Sequence, residues 1–538
     1  MANSGEAVSP LTARLASKYK VVSKLGEGTY GVVYKVVNRQ THEKCAVKIM
    51  DLGDTDQSAG INKSTLVEIS LLKRLHHPNI VKIVEIDIDV SSQKINLVME
   101  LAKCALDDTI KTQWFKPGMR SRRCEQLRDQ LRIAFQITCA LNYLHINRII
   151  HLDLKPANIL IRSNGTVAIA DFGISERAES VKSEGHHVVT WPYRAPEIVC
   201  GAQSYQEASD IWSLGVLLLL NFFDFKLVSR AGDKESQLYA HFVDRIGPMS
   251  STWHTEYRRN QLSCPLRSPA LDIRSDDSTT QPGMKSSPPR PKYHKDIHPF
   301  YISFYGKNTY EHILSFIDQC LQYDPRERAT AQQLLSHALF KECIAEERES
   351  KEGTSDSGRA HTNATDASVT LAVAVTATSH KLLPRDEKRE YAVYDSIKNA
   401  KFTPDASCYV CEVPQNVKHA QILHNIQIPV LLNAKCASSI SASTATTCVE
   451  IFNRYMRMSS ENVSSRHQTK PYNDTAAIEA ACLILAGKLM NDKTNILRLH
   501  RLANITNLSK SILQDKELHI VHTLDWNLDG AFNHEDWE

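Results

Sequence analysis

The stretch His151-Leu-Asp153-Leu-Lys155-Pro-Ala-Asn158 brings a carboxylate, an ammonium and a carboxamide close together in the chain. Asp153 can accept the proton of a hydroxyl nucleophile. Lys155 can reach a phosphoryl group in transfer, and Asn158 offers a neutral oxygen to a hard cation. Asp171-Phe-Gly173 begins thirteen residues after Asn158. It adds a carboxylate suited to Mg²⁺, which favours oxygen ligands. Upstream, Gly26-Glu27-Gly28-Thr29-Tyr30-Gly31 leads into Val32-Val33-Tyr34. The same glycine spacing opens dinucleotide-binding folds, but there it precedes a helix. Here it precedes a strand-like run, which favours a flap over ATP phosphates. Ala46-Val47-Lys48 ends another strand-like run. Lys48 can neutralise phosphate oxygens if a carboxylate holds it, and Glu68 is the candidate.

These groups need elements to position them. From Tyr19 to Glu100 apolar and polar residues alternate in short β-branched runs, which reads as strands interrupted by one helix near Ser64–Leu75. From about Cys104 the pattern turns helical, with Leu131, Ala134, Ile137 and Leu141 at helical spacing. Val167–Ala170 reads as a strand leading to Asp171. A polar insert rich in Ser, Pro and Arg runs from about Thr255 to Asp296, and helical pattern resumes over Tyr310–Glu347. Residues 348–416 are expected to be a disordered linker. Helical runs follow at Thr444–Met456, Ala476–Met490 and Ser509–Leu528. The second is apolar all round, as a buried helix would be.

Composition bounds the rest. A chain of 538 residues exceeds one hydrophobic core. A formal net charge of +3 argues against a strongly basic nucleic-acid binder. No apolar stretch reaches the roughly 18 residues of a membrane span, and no secretory leader is visible. Neither nucleic acid nor membrane is therefore an expected direct partner. The thirteen cysteines are scattered, with Cys408 and Cys411 the only CxxC, so zinc is not expected. Reduced thiols in the cytosol or nucleus are.

The ordered motifs resemble those of eukaryotic protein kinases over Tyr19 to about Glu347. Gly26–Lys35, Glu68–Leu75, Val188-Val-Thr190, Tyr193-Arg-Ala-Pro-Glu197, Asp210–Gly215 and Asp324–Arg328 narrow the resemblance to cyclin-dependent kinases. The resemblance implies a bilobal α+β fold, with a small lobe over 19–101 and a large lobe over 102–347. It also implies Mg²⁺- and ATP-dependent phosphorylation of protein Ser/Thr, probing Ser/Thr-Pro sites. Lys48, Glu68, Asp153 and Lys155 would be catalytic, and Asn158 and Asp171 would hold the metal. Gly26, Glu27, Gly28, Gly31, Val33, Ala46 and Lys48 would line the ATP site. Met99 would be gatekeeper, with Glu100 and Ala102 as hinge contacts for adenine. Thr190 and Arg194 would dock substrate, Arg194 organising the proline pocket. Thr29 and Tyr30 stand where the family is inhibited by phosphorylation. Ser287-Pro-Pro-Arg290 fits an autophosphorylation site. Asp210 and Arg328 are expected to form a buried ion pair bracing the large lobe.

Departures from the pattern cluster. Asn62–Val67 replaces the family's Pro-Ser-Thr-Ala-Ile-Arg, so Val67 stands at the arginine. Leu152 replaces the arginine between His151 and Asp153. Gly185 falls at the phosphothreonine and Glu176 at the third arginine, with Arg177 beside it as a substitute. The family uses these arginines to clamp an activating phosphate. Their joint loss points to a kinase that does not need that phosphate, or to a degenerate one. The intact Lys48, Glu68, Asp153, Asn158 and Asp171 favour the first.

The C-terminal part resembles a cyclin box, an all-α fold. The resemblance rests on Phe452-Asn-Arg-Tyr-Met456, Ala480–Lys488, Ile512-Leu, Glu517 and Leu524-Asp-Trp-Asn-Leu528. Lys488 and Glu517 match the family's pair that faces the kinase. The first cyclin helix, over Gln421–Ala437, is poorly matched and contains Pro429, and no second box is expected after Leu528. The expected organisation is a flexible tail over 1–18, a kinase over 19–347, a linker over 348–416 and a cyclin box over 417–538. The box would act in cis or on a second chain in trans. The rivals are a kinase-fold scaffold and a kinase served by an external cyclin.

Overall fold

The computed structural model describes residues 10–28, 31–51, 61–89, 93–114, 123–178, 189–199, 206–228, 235–247, 291–341, 442–461, 472–489, 499–506 and 508–528. The alternating run after Tyr19 forms a five-stranded antiparallel sheet in the order β1-β2-β3-β5-β4. Its strands are β1 (Tyr19–Gly28), β2 (Gly31–Asn38), β3 (Lys44–Asp51), β4 (Ile83–Asp89) and β5 (Lys94–Glu100). The register sets Gly26 opposite Val33, Val33 opposite Lys48 and Lys48 opposite Leu97. One row across the sheet thus carries the glycine flap and the lysine.

Residues Leu11–Lys18 do not form the expected flexible tail. Thr12 caps helix α1 (Ala13–Lys18), its hydroxyl accepting the Leu15 N–H. Leu11 and Leu15 are buried against Tyr19, Val36, Val47 and Val98. The physical reason is that one face of the sheet needs an apolar cover, and these leucines provide it.

Helix α2 (Lys63–Arg74) carries Glu68. The Asn62 side chain caps it by accepting the Ser64 N–H, and Lys73 and Arg74 suit its C-terminal dipole. Thr65 to Leu72 are all buried, a full two turns with no solvent face. A helix lying on one sheet would expose a stripe. The other side of α2 is covered by a helix from the C-terminal domain.

The large lobe is built on α3 (Arg123–Ile146), α4 (Ala208–Phe223) and α5 (Lys307–Cys320). Leu131, Ala134, Ile137 and Leu141 are buried as their spacing requires. Short ladders position the site: β6 (Cys104–Ala105), β8 (Ile159–Ile161) and β9 (Val167–Ile169) in one sheet, β7 (Ile149–Ile150) and β10 (Glu176–Arg177) in another. The insert closes earlier than Asp296. Tyr293 is fully buried and its hydroxyl donates to Asp318.

The C-terminal domain contributes α6 (Ala442–Glu461), α7 (Tyr472–Leu489), α8 (Leu499–Thr506) and α9 (Lys510–Thr523). Ala477–Ala486 are buried throughout, so α7 is the central helix of this domain. Thr29, Tyr30, Gly185, Ser287, Cys408, Cys411, Gln421–Ala437 and the linker lie outside the described residues.

Candidate active site

Lys48 on β3 reaches across to α2. Its Nζ donates to both Glu68 carboxylate oxygens at 2.7 Å and to Asp171 Oδ1 at 3.1 Å. Burial alone would lower the Lys48 pKa, but the charges of Glu68 and Asp171 outweigh it and raise it. Burial likewise pushes the Glu68 carboxyl up, against the pull of Lys48. Asp171 has a left-handed backbone, φ 67°. Next to it Phe172 is fully buried and meets the His151 ring edge-on, 4.9 Å between centroids. That contact leaves the Asp171 carboxylate facing Lys48.

Asp153 is the centre of the catalytic loop. Its Oδ2 accepts from Lys155 Nζ at 2.6 Å and from Asn158 Nδ2 at 2.9 Å, and its Oδ1 accepts from the Thr190 hydroxyl. Lys155 Nζ also donates to Thr190 Oγ1 at 2.9 Å. His151 Nε2 donates to the Ala170 carbonyl, so its Nδ1 accepts the Asp153 N–H. Asn158 also donates Nδ2 to the Asp153 carbonyl at 2.8 Å, which turns its Oδ1 the other way. Arg194 is buried, and its Nε and Nη2 both donate to the Val189 carbonyl, at 3.2 and 2.8 Å.

The expected Asp210–Arg328 pair does not form. Asp210 is fully buried and accepts the N–H groups of His151 and Leu152 at 2.8 and 2.9 Å, with His145 Nε2 at 3.0 Å. Burial would raise its pKa, but these partners lower it. It holds the loop at Leu152, whose φ is 65°. Arg328 instead makes a two-pronged pair with Glu197, both contacts at 2.6 Å. Both Asp210 oxygens accept loop N–H groups, and the packed fold brings Arg328 to the other buried carboxylate instead.

The ATP and Mg²⁺ fit can be tested on the protein's own atoms. A Cβ at Gly26 or Gly28 would meet nothing within 4 Å, so the open space above the flap is not filled by the fold. Gly31 differs: at φ 138° its Cβ would lie 2.1 Å from the Ile49 carbonyl oxygen, so its glycine serves the sheet. Glu27 pairs with Lys24 at the flap's edge. Ala46 is buried opposite a partly buried Met99, at the inner end of β5 where Glu100 and Ala102 continue the chain. Among the described residues no group of three His, Cys, Asp or Glu forms a metal cage. Two oxygen donors with substrate phosphates and water are the usual holding set for Mg²⁺, and Asp171 and Asn158 fit that role.

Sequence reasoning missed several pairs. Glu100 takes both Arg162 Nε and Nη2 at 2.7 Å. Lys63 on α2 lies 3.6 Å from Glu176 on β10. Lys73 Nζ meets Asp525 at 2.8 Å, joining α2 to the C-terminal domain. No spacing rule links residues this far apart in sequence. The Lys488–Glu517 pair does form, with Glu517 fully buried. Burial raises the Glu517 pKa, opposed by Lys488 and by the approach of the Ile61 N–H just before α2.

A five-stranded lobe whose lysine is held by a helical glutamate and reaches Asp171, with an Asp153–Asn158 pair on a helical lobe, defines a protein kinase. Residues 19–340 match the family model described as protein kinase domain, and the chain belongs to that family. Residues 394–529 match the model described as cyclin, N-terminal domain. Over 335 residues the chain is 30% identical to the cell division control protein 2 homolog 3 of Trypanosoma brucei brucei, covering 61% of this chain and 93% of that protein. It is a serine/threonine kinase of the cyclin-dependent class, with a cyclin domain in the same polypeptide.

Proposed function

We propose that this chain phosphorylates Ser or Thr followed by Pro, and that its own cyclin domain holds it in the active form without an activating phosphate. The observation that carries the reading is the burial of α2 between the sheet and α7, with Glu517 at its start and Lys73–Asp525 near its end. A helix held at both ends keeps Glu68 on Lys48. Asp153 then takes the proton of the substrate hydroxyl, with Lys155, Asn158 and Thr190 fixing its oxygens. Lys48 balances phosphate charge, and Asp171 and Asn158 would hold Mg²⁺, which would supply further neutralisation when bound. Gly26 and Gly28 leave the flap open to the nucleotide.

Arg194 supports the proline-directed reading. Its guanidinium occupies the Val189 carbonyl, so a substrate residue placed there cannot donate its N–H to that oxygen. Proline has no N–H to lose. Any other residue leaves a donor unsatisfied, worth about ten-fold or more in rate.

The test uses full-length protein made in bacteria, with no activating kinase, on paired Ser-Pro and Ser-Ala peptides. The expected result is activity on the first, at least about ten-fold above the second. Glu517→Arg should abolish most of it. Inert wild type, or a Glu517→Arg variant as active as wild type, refutes activation by the fused domain. Equal rates on the two peptides refute proline direction.

A further inference from the structure

We propose that Lys63 and Glu176 form a built-in electrostatic tie that stands in for the activating phosphate, making them positioning residues for phosphoryl transfer. The proposal rests on the phosphate-independent reading above. The phosphate of related kinases is held by three arginines, one each from α2, the catalytic loop and the segment after Asp171. Here two of those positions are apolar and buried, Val67 at 8% and Leu152 at 1% exposure. The third is Glu176, which would repel a phosphate. The mechanical link is nonetheless present in another form. Lys63, the first residue of α2, places Nζ 3.6 Å from Glu176 Oε1. Their side chains are 38% and 11% exposed, so water screens the pair only in part. Burial lowers the Lys63 pKa, and the Glu176 charge opposes that fall.

The tie lies on a continuous path. Asp525 of the cyclin domain pairs with Lys73 on α2, and Glu517 approaches the Ile61 N–H, two residues before Lys63. Glu176 pairs across the β10–β7 ladder with Ile150, one residue before His151 and three before Asp153. Fixing α2 therefore fixes Lys63, and Lys63 fixes the strand that leans on the catalytic loop. An acidic residue at the old arginine position and a lysine on α2 reverse the family's polarity while keeping its connection.

The experiment measures kcat and KM for wild type, Lys63→Met, Glu176→Gln, Lys63→Glu and the swap Lys63→Glu/Glu176→Lys, all full length from bacteria. Each neutral variant should lower kcat about five-fold, the reach of a partly exposed ion pair, with KM for ATP unchanged. Lys63→Glu should fall further, and the swap should recover most of the loss. Added salt should slow wild type more than Lys63→Met, since the variant keeps the exposed Lys73–Asp525 pair but lacks Lys63–Glu176. Two neutral variants are included so that a folding failure in one leaves the other to decide. Wild-type rates in both, or a swap no better than Lys63→Glu, overturn the tie while the phosphate-independent reading stands. An inert wild type overturns both.

Discussion

Replacing Arg162 by Met tests how the hinge is held. The guanidinium donates to Glu100 twice at 2.7 Å, to the Pro78 carbonyl at 2.8 Å, to Val167 at 3.1 Å and to Ile80 at 3.4 Å. It thus joins the hinge, the loop after α2 and the β8–β9 hairpin. Methionine keeps the stem and leaves Glu100 with the Lys82 N–H, which donates to it at 2.9 Å. Breaking a fully buried pair on one side costs about 3–5 kcal/mol. The side chains here are 16% and 26% exposed, which brings the expectation down to about 2–3 kcal/mol. That corresponds to a melting temperature lower by about 5 °C. Acid should narrow the gap. Burial, helped by the Arg162 charge, lowers the His77 pKa to about 4. Its neutral form stabilises the fold fully above the unfolded value of 6.5, and that contribution is lost as pH falls towards about 4. The variant, with His77 partly released, loses less over that window. Burial raises the Glu100 carboxyl, but Arg162 lowers it overall, so its stabilisation is present above the unfolded value of 4.5 and lost below it. Both effects make the difference largest near neutral pH. The assay is thermal unfolding of the full-length protein and the variant at neutral and acid pH. Equal melting near pH 7, or a gap that widens on acidification, refutes the reasoning.

Three further outcomes are expected. Glu197→Gln leaves Arg328 buried at 0% side-chain exposure beside a neutral amide, and should cost about 3–5 kcal/mol in thermal or chemical unfolding. Gly28→Ala should leave melting unchanged and raise KM for ATP, whereas Gly31→Ala should lower melting as well, because its Cβ would sit 2.1 Å from the Ile49 carbonyl oxygen. Asp153→Asn should lower kcat by about 10²–10⁴-fold in a radiolabelled phosphate-transfer assay, with circular dichroism unchanged.

The chain order alone marked the candidate catalytic set. Lys48, Asp153, Asn158 and Asp171 were legible because each motif is short, and local backbone geometry fixes what its neighbours present. Glu68 was legible because it lies on the first helix after Lys48. The strand pattern after Tyr19 and the helical spacing of Leu131 to Leu141 were equally readable, since burial on one face leaves a period in the sequence. Tertiary structure alone decided the pairings across distance. Arg328 belongs to Glu197 and not to Asp210, because the catalytic-loop N–H groups claim Asp210 first. Leu11 and Leu15 belong to the sheet because one of its faces was open. The tight Arg162–Glu100 pair, the looser Lys63–Glu176 pair and the burial of α2 against the cyclin domain leave no periodic trace. Charge partners are chosen by which side chains the packed backbone brings within a few ångströms, and a linear pattern does not encode that distance.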